Sequence, residues 1–300
     1  MQLAKEDIFK EAASKIKDKR TVIICDRGVL DSKAYMQKST FYDLLKKLKT
    51  TEIELRDRYD AVIHLKTAAD GAEEFYTLEN NAARMETAEE AKIADKKVLN
   101  AWTGHSHLRV IDNSTNFEMK INRVLQEFYL LLGVPVPLEI ERKFLINLPN
   151  IDVLNKRFNV TTINIIQTYL HSEDPLIERR IRQKRLGDGF SYYYTEKKTL
   201  DDLSRIEIEH RITEADYIHL MMEADTSLNQ IRKDRHCFIY ENNYFELDIY
   251  PFWKNQAIVE VELTNKDQTV IWPEELELIR EVTNEKCFKN KSLAYNHDVC

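Results

Sequence analysis

Leu138-Glu139-Ile140-Glu141-Arg142-Lys143-Phe144 lies just before the midpoint of the 300-residue chain and alternates acidic, apolar and basic residues. On a β-strand, residues two apart share a face, so Glu139, Glu141 and Lys143 point the same way. Two carboxylates and an ammonium on one face suit a divalent cation and a phosphate oxygen. One such triplet also fits a solvent-facing strand, so its meaning depends on the rest of the C-terminal half.

The same alternation recurs there, strand after strand. Ile163–Leu170 has the β-branched and aromatic content of a strand. Ile177-Glu-Arg-Arg-Ile-Arg182 places Arg180 and Arg182 on one face, and Phe190–Lys197 delivers Thr195 and Lys197 together after the Gly187-Asp-Gly189 turn, so these two runs read as a hairpin. Arg205-Ile-Glu-Ile-Glu-His-Arg211 sets Glu207 and Glu209 opposite Ile206 and Ile208. A helix is expected from about Glu214 to Glu223. Further strands align Lys233 with Arg235, Glu246 with Asp248, and Glu260 with Glu262; Pro273–Val282 reads as an amphipathic acidic helix. A polar sheet face in water explains single strands. It does not explain why acids and bases are dealt to particular strands.

The ordered set Glu-x-Glu-x-Lys, Arg-x-Arg, Thr-x-Lys, Arg-x-Glu-x-Glu, Lys-x-Arg, Leu-Asp and Glu-x-Glu, spanning Leu138 to about Tyr295, resembles the CYTH, or triphosphate tunnel metalloenzyme, family. The resemblance implies an α+β fold whose C-terminal half is an antiparallel β tunnel, a closed barrel with flanking helices. Charges point inward, where they must pair with one another or with ligand and metal. It implies phosphate binding by Lys143, Arg180, Arg182, Lys197, Lys233 and Arg235. It implies Mg2+ or Mn2+ held by Glu139, Glu141, Asp248, Glu260 and Glu262, with Glu246 nearby, since all-oxygen ligands select hard cations. Glu207, Glu209 and Lys197 are the expected catalytic residues. The implied activity is hydrolysis of an inorganic, nucleoside or thiamine triphosphate. A class IV-type adenylate cyclase on the same fold, and a non-catalytic nucleotide or polyphosphate sensor, are the alternatives.

The first half reads differently. All six prolines lie from Pro135 onward, and a stiff linker near Val134–Pro137 divides the chain into expected domains 1–133 and 134–300. Helical spacing covers Gln2–Lys17; short strands are expected at Thr21–Gly28, Tyr59–Leu65 and His107–Asp112, separated by helices, as in a parallel α/β sheet. Cys25-Asp-Arg-Gly-Val-Leu-Asp-Ser-Lys-Ala-Tyr35 resembles the AAA-type ATPase domain related to ribosylnicotinamide kinases. By that resemblance Asp26, Arg27 and Arg84 form a remnant nucleotide site of a partial P-loop domain. No glycine precedes Lys-Ser or Lys-Thr, so the Walker A loop that cradles phosphates is missing. Met1 is accordingly expected to be an internal start of a longer protein or the start of a shortened form.

Composition bounds the rest. Net charge is −7, which argues against a general nucleic-acid binder. No apolar run is long enough to span a membrane, and the four cysteines include no Cys-x-x-Cys pair, so neither a zinc site nor a disulfide framework is indicated. A cytoplasmic protein that takes a triphosphate-containing small molecule is expected; its oligomeric state is left open.

Overall fold

The computed structural model describes residues 1–17, 21–76, 86–132, 140–199, 205–263 and 269–296. The N-terminal part is mainly helical. It comprises α1 (Gln2–Ser14), α2 (Asp31–Tyr35), α3 (Lys38–Leu48), α4 (Glu52–Arg56), α5 (Ala88–Trp102) and α6 (Phe117–Leu131) around β1 (Val62–Leu65) and β2 (Leu108–Ile111). Reciprocal capping boxes start α4 and α5: the Thr51 and Thr87 hydroxyls accept from the backbone of Glu54 and Glu90, whose carboxylates accept in return. β1 and β2 pair in parallel.

The expected strand at Thr21–Gly28 does not form among the described residues. A strand needs a neighbour to satisfy its backbone and to cover one face, and Ile24 is 72% exposed. None of the described strands pairs with it.

The second half builds one nine-stranded sheet. Its strands are β3 (Ile140–Asn147), β4 (Thr161–Leu170), β5 (Ile177–Leu186), β6 (Gly189–Thr199), β7 (Arg205–Ile212), β8 (Ile231–Tyr240), β9 (Asn243–Ile249), β10 (Gln256–Leu263) and β11 (Leu278–Glu281). Short helices α7 (Ile151–Arg157), α8 (Glu214–Leu220) and α9 (Asn290–Tyr295) accompany it. The spatial order is β11-β3-β10-β9-β8-β4-β5-β6-β7, antiparallel throughout. The β8–β9 hairpin turns through Glu241 and Asn242, both at positive φ, the geometry that matches the strands' twist. The β5–β6 hairpin turns at Gly187, φ +58°.

Two expectations are corrected here. The segment expected as an acidic helix, Pro273–Val282, instead contributes β11, which lies along β3 with a register shift; the edge of β3 offers its backbone a partner that an isolated short helix lacks. Closure of the sheet into a barrel is not found among the described residues, where β11 and β7 stand at opposite ends of the order. Cys25 and Cys237 are free thiols, but Cys287 is engaged in a disulfide, a link the cysteine spacing did not signal.

Alternation along the strands separates two faces. One is apolar: Phe144, Leu247, Val259 and Val261 pack with Leu154 of α7, and Ile181 packs with Tyr217 of α8. The other face carries the charges and is covered at both ends. At one end Tyr169, Ile231 and Ile258 pack beneath Phe288 and Leu293. At the other end Ile163, Ile165, Cys237 and Tyr244 share a core with Leu99 and Trp102 of the N-terminal part. Gly104, at φ +98°, sits so close that an added Cβ would lie 2.9 Å from Thr161 Cγ2. Among the described residues, no helix is long and apolar enough to cross a membrane.

Candidate functional site

The charged face is built by register. β10 lies between β3 and β9, so Glu262 stands opposite Glu141 and Glu260 opposite both Lys143 and Glu246. β9 brings Asp248 opposite Arg235 of β8. Beyond β4, β5 sets Arg180 opposite Thr195 of β6, which stands opposite Glu209 of β7. Lys197 stands between Glu178 and Glu207 in the same register.

Side chains then link strands that are not neighbours. Arg235 donates to Asp248 through Nε (2.7 Å) and Nη2 (2.7 Å), and reaches across β9 to Glu260 (2.7 Å); it also pairs with Glu246. Lys233 pairs with Asp248, which is fully buried. Lys143 lies 2.5 Å from Glu260 and 3.6 Å from Glu141. On the far side, Arg182 spans β6 to reach Glu209 at 3.0 Å, and the Thr195 hydroxyl donates to the same carboxylate at 2.7 Å. Contacts that skip a strand require the sheet to curve around this face.

The protonation states depend on these neighbours. Glu260, lying close by, and then burial push the Glu141 carboxyl up to about 7. Burial also opposes ionisation of Glu260, but Lys143 and Arg235 outweigh it and hold Glu260 well below the usual carboxylate range. Burial would lower Lys143, yet Glu260 and Glu141 raise it above its ordinary value. Burial and Arg235 together bring Lys233 down against the pull of Asp248. Burial raises Glu246 despite Arg235. Burial pushes Glu209 up, but Arg182 and Lys184 overcome it and keep the carboxylate ionised far below its normal range. A carboxylate held so low is a weak proton acceptor, so Glu209 is better suited to orienting Arg182 and Thr195 than to taking a proton.

For a divalent cation, the carboxylate pair Glu141 and Glu260 offers hard oxygen donors and a like-charge repulsion that a cation would relieve. Among the described residues, no group of three or more His, Cys, Asp or Glu side chains is arranged to hold a metal ion. Magnesium commonly takes one or two carboxylates and completes its shell with water and substrate oxygens, so the pair fits that chemistry. Asp248 pairs with Lys233 and Arg235, as Glu260 does with Lys143 and Arg235. The side chains of Glu207 and Glu262, and all of Glu139, lie outside the described residues, as does Arg84.

Asp26 and Arg27 lie far along the chain from this face and line a separate cavity of about 1000 Å³, with Tyr59, His64, Trp102 and Phe128 among its walls. Arg27 is at φ +77° and lies 3.7 Å from Asp31.

Four participants escape the reading of the sequence. Lys184 extends the alternation of Arg180 and Arg182 by one more step, and that step was the signal that could have found it. Asp57, Ser106 and His107 come from the N-terminal part, and nothing local marks them. The Lys184 ammonium meets the Ser106 hydroxyl at 2.6 Å, and the Ser191 hydroxyl donates to Asp57 at 2.6 Å. His105 and His107 are both pulled down to about 4, chiefly by burial.

Residues 1–120 match the model of a family described as the AAA domain. No curated protein matches the chain. Solved structures similar to it include the inorganic triphosphatase NE1496, 29% identical over 53% of this chain and 95% of that one, with TM-score 0.38. They also include PH1819 from Pyrococcus horikoshii, 22% identical over 42% and 80%, TM-score 0.32. A third is HpAC1 from Hippeastrum, described as having a dominant triphosphatase activity, 14% identical over 42% and 80%, TM-score 0.31.

Proposed function

We propose that the charged face is the site of a metal-dependent triphosphate hydrolase, with the sheet wrapped around it as a tunnel. The observation that carries this reading is the density of paired, largely buried charge, part of which skips a strand. Arg182, Lys233 and Arg235 are held among Glu209, Asp248 and Glu260 on one concave face. Replacing buried ion pairs by apolar packing is often neutral or stabilising, so a fold has no stability reason to assemble so many.

In this reading Arg182 and Arg235 present forked donors to phosphate oxygens, and Lys143, Lys197, Lys233 and Arg180 add positive charge along the chain of phosphates. Glu209 and Thr195 fix Arg182 before substrate arrives, so that little reorganisation is needed. Glu141 and Glu260 would hold a magnesium or manganese ion, with Glu139 and Glu262 as further donors. When bound, that ion supplies polarisation of a phosphoryl oxygen and neutralisation of developing charge. Water attack yields orthophosphate and a diphosphate. Residues 1–133 form the AAA-like domain and 134–300 the tunnel domain, with Asp26 and Arg27 as remnants of a nucleotide site.

Phosphate release from inorganic tripolyphosphate by the full chain tests the reading. Binding without release would mark the site as a sensor, and cyclic AMP from ATP would mark it as a cyclase.

A further inference from the structure

Lys184 is a buried base with an unusual set of partners. It is 5% exposed, and its ammonium donates to the Ser106 hydroxyl at 2.6 Å and lies 4.2 Å from the centre of the Tyr193 ring. Among the described residues, no carboxylate stands within ion-pair distance of it, although Glu209 and Asp57 act on it from further away. Lys143, Arg182, Lys233 and Arg235 on the same face each have one. A buried cation with no carboxylate in direct contact is costly, and an ammonium has three N–H donors. Ser106 accepts one, the Tyr193 ring faces the ammonium, and donor capacity remains for an anion. Arg182 stands two residues away on the same face of β5, so the anion would lie between the two bases.

The groups that hold Lys184 in place come from the other part of the chain. Ser106 precedes β2, and Gly104 in the same turn donates its N–H to the Tyr244 hydroxyl at 3.1 Å. Asp57, just after α4, accepts from Ser191 at 2.6 Å and also holds Tyr193. Both sides of the Lys184 ammonium are therefore set by residues 57–107.

We propose that Lys184 seats the terminal phosphate of the substrate, and that Ser106 of the N-terminal part positions it, making the phosphate site a composite of both parts of the chain. The inference rests on the triphosphate reading of the charged face. It adds a specificity-determining base at the covered end and gives the N-terminal part a role there that needs no nucleotide.

The test is calorimetric binding of inorganic tripolyphosphate to the full chain at fixed magnesium, with thermal melting in parallel. Lys184→Met is expected to weaken binding by at least about tenfold, the loss expected for one charge-assisted hydrogen bond. Ser106→Ala is expected to weaken it by a smaller factor, and Ser106→Thr, which keeps the hydroxyl, to restore it. Wild-type affinity in Lys184→Met together with a lowered melting temperature would make the residue a docking strut and overturn the proposal. If Lys184→Met does not fold, unchanged affinity in Ser106→Ala overturns it instead. If the wild-type chain binds no tripolyphosphate, the triphosphate reading itself fails, and the proposal with it.

Discussion

Arg235 grips Asp248 with two parallel hydrogen bonds of 2.7 Å each, from Nε to Oδ1 and from Nη2 to Oδ2. Lys233 shares the same carboxylate, which is wholly buried. Asp248→Asn keeps the volume but leaves two buried cations short of a counter-charge. Removing one partner of a buried pair costs about 3–5 kcal/mol, so the unfolding free energy from denaturant titration should fall by an amount of that size. A change too small to measure would show that Glu246 and Glu260 suffice as partners.

Docking of the N-terminal part onto the sheet makes its own prediction. Gly104 adopts φ +98° and has no room for a Cβ beside Thr161 and Ile163. Gly104→Ala should therefore destabilise the chain by about 1–3 kcal/mol through backbone strain, measured as the shift in urea midpoint. Unchanged stability would mean that this close approach does not persist in solution.

Stability should also fall in mild acid. His105 accepts the His107 N–H at Nδ1 (3.0 Å), and its Nε2 lies 2.9 Å from the Tyr59 carbonyl. Nδ1 must stay unprotonated to accept, and Nε2–H donates. Both histidines have pKa values lowered from 6.5 to about 4, burial being the main cause; Asp57, His107 and Lys184 face His105, and Arg109, Glu209, Lys184 and Arg182 face His107. The unfolded chain thus takes up protons first. Their contribution is complete above about pH 6.5 and declines as pH falls toward 4. His105→Gln should flatten that decline in a series of urea titrations; an equally steep decline would place its origin elsewhere.

How much of this was legible depends on whether the signal is local. The run Arg205–Arg211 alternates so regularly that β7 (Arg205–Ile212) could be read directly, and Thr213, Glu214 and Asp216 mark the start of α8 just after it. β11 was not legible, because Leu278–Glu281 is a strand only through its partner β3. Thr21–Cys25 has strand-like residues but no partner among the described strands, so composition misled. Within the site, the alternation marks which residues share the charged face, yet it says nothing of which charges meet. The pairing of Arg182 with Glu209, two strands away, depends on curvature. Ser106 meets Lys184 only because two distant parts of the chain dock.

Anion and cation roles should separate by substitution. Arg182→Ala removes a donor held by Glu209 and should raise the KM for tripolyphosphate by about tenfold or more, with the magnesium midpoint little changed at saturating substrate. Glu260→Gln removes a charge beside Glu141, so the magnesium midpoint should rise while KM at saturating magnesium moves less. Equal responses of both constants in both variants would mean that the acidic and basic ends of the face are wrongly assigned.

Triphosphate hydrolysis itself is decided by product analysis after incubating the full chain with inorganic tripolyphosphate, with magnesium and again with the metal chelated. The full chain is needed because Ile163, Ile165 and Tyr244 share their core with Leu99 and Trp102, and a fragment would expose them. Orthophosphate and diphosphate are expected in equal amounts with magnesium, neither under chelation, and strongly reduced release in Arg182→Ala. Absence of both products with magnesium, from a folded wild-type chain, would contradict a hydrolase.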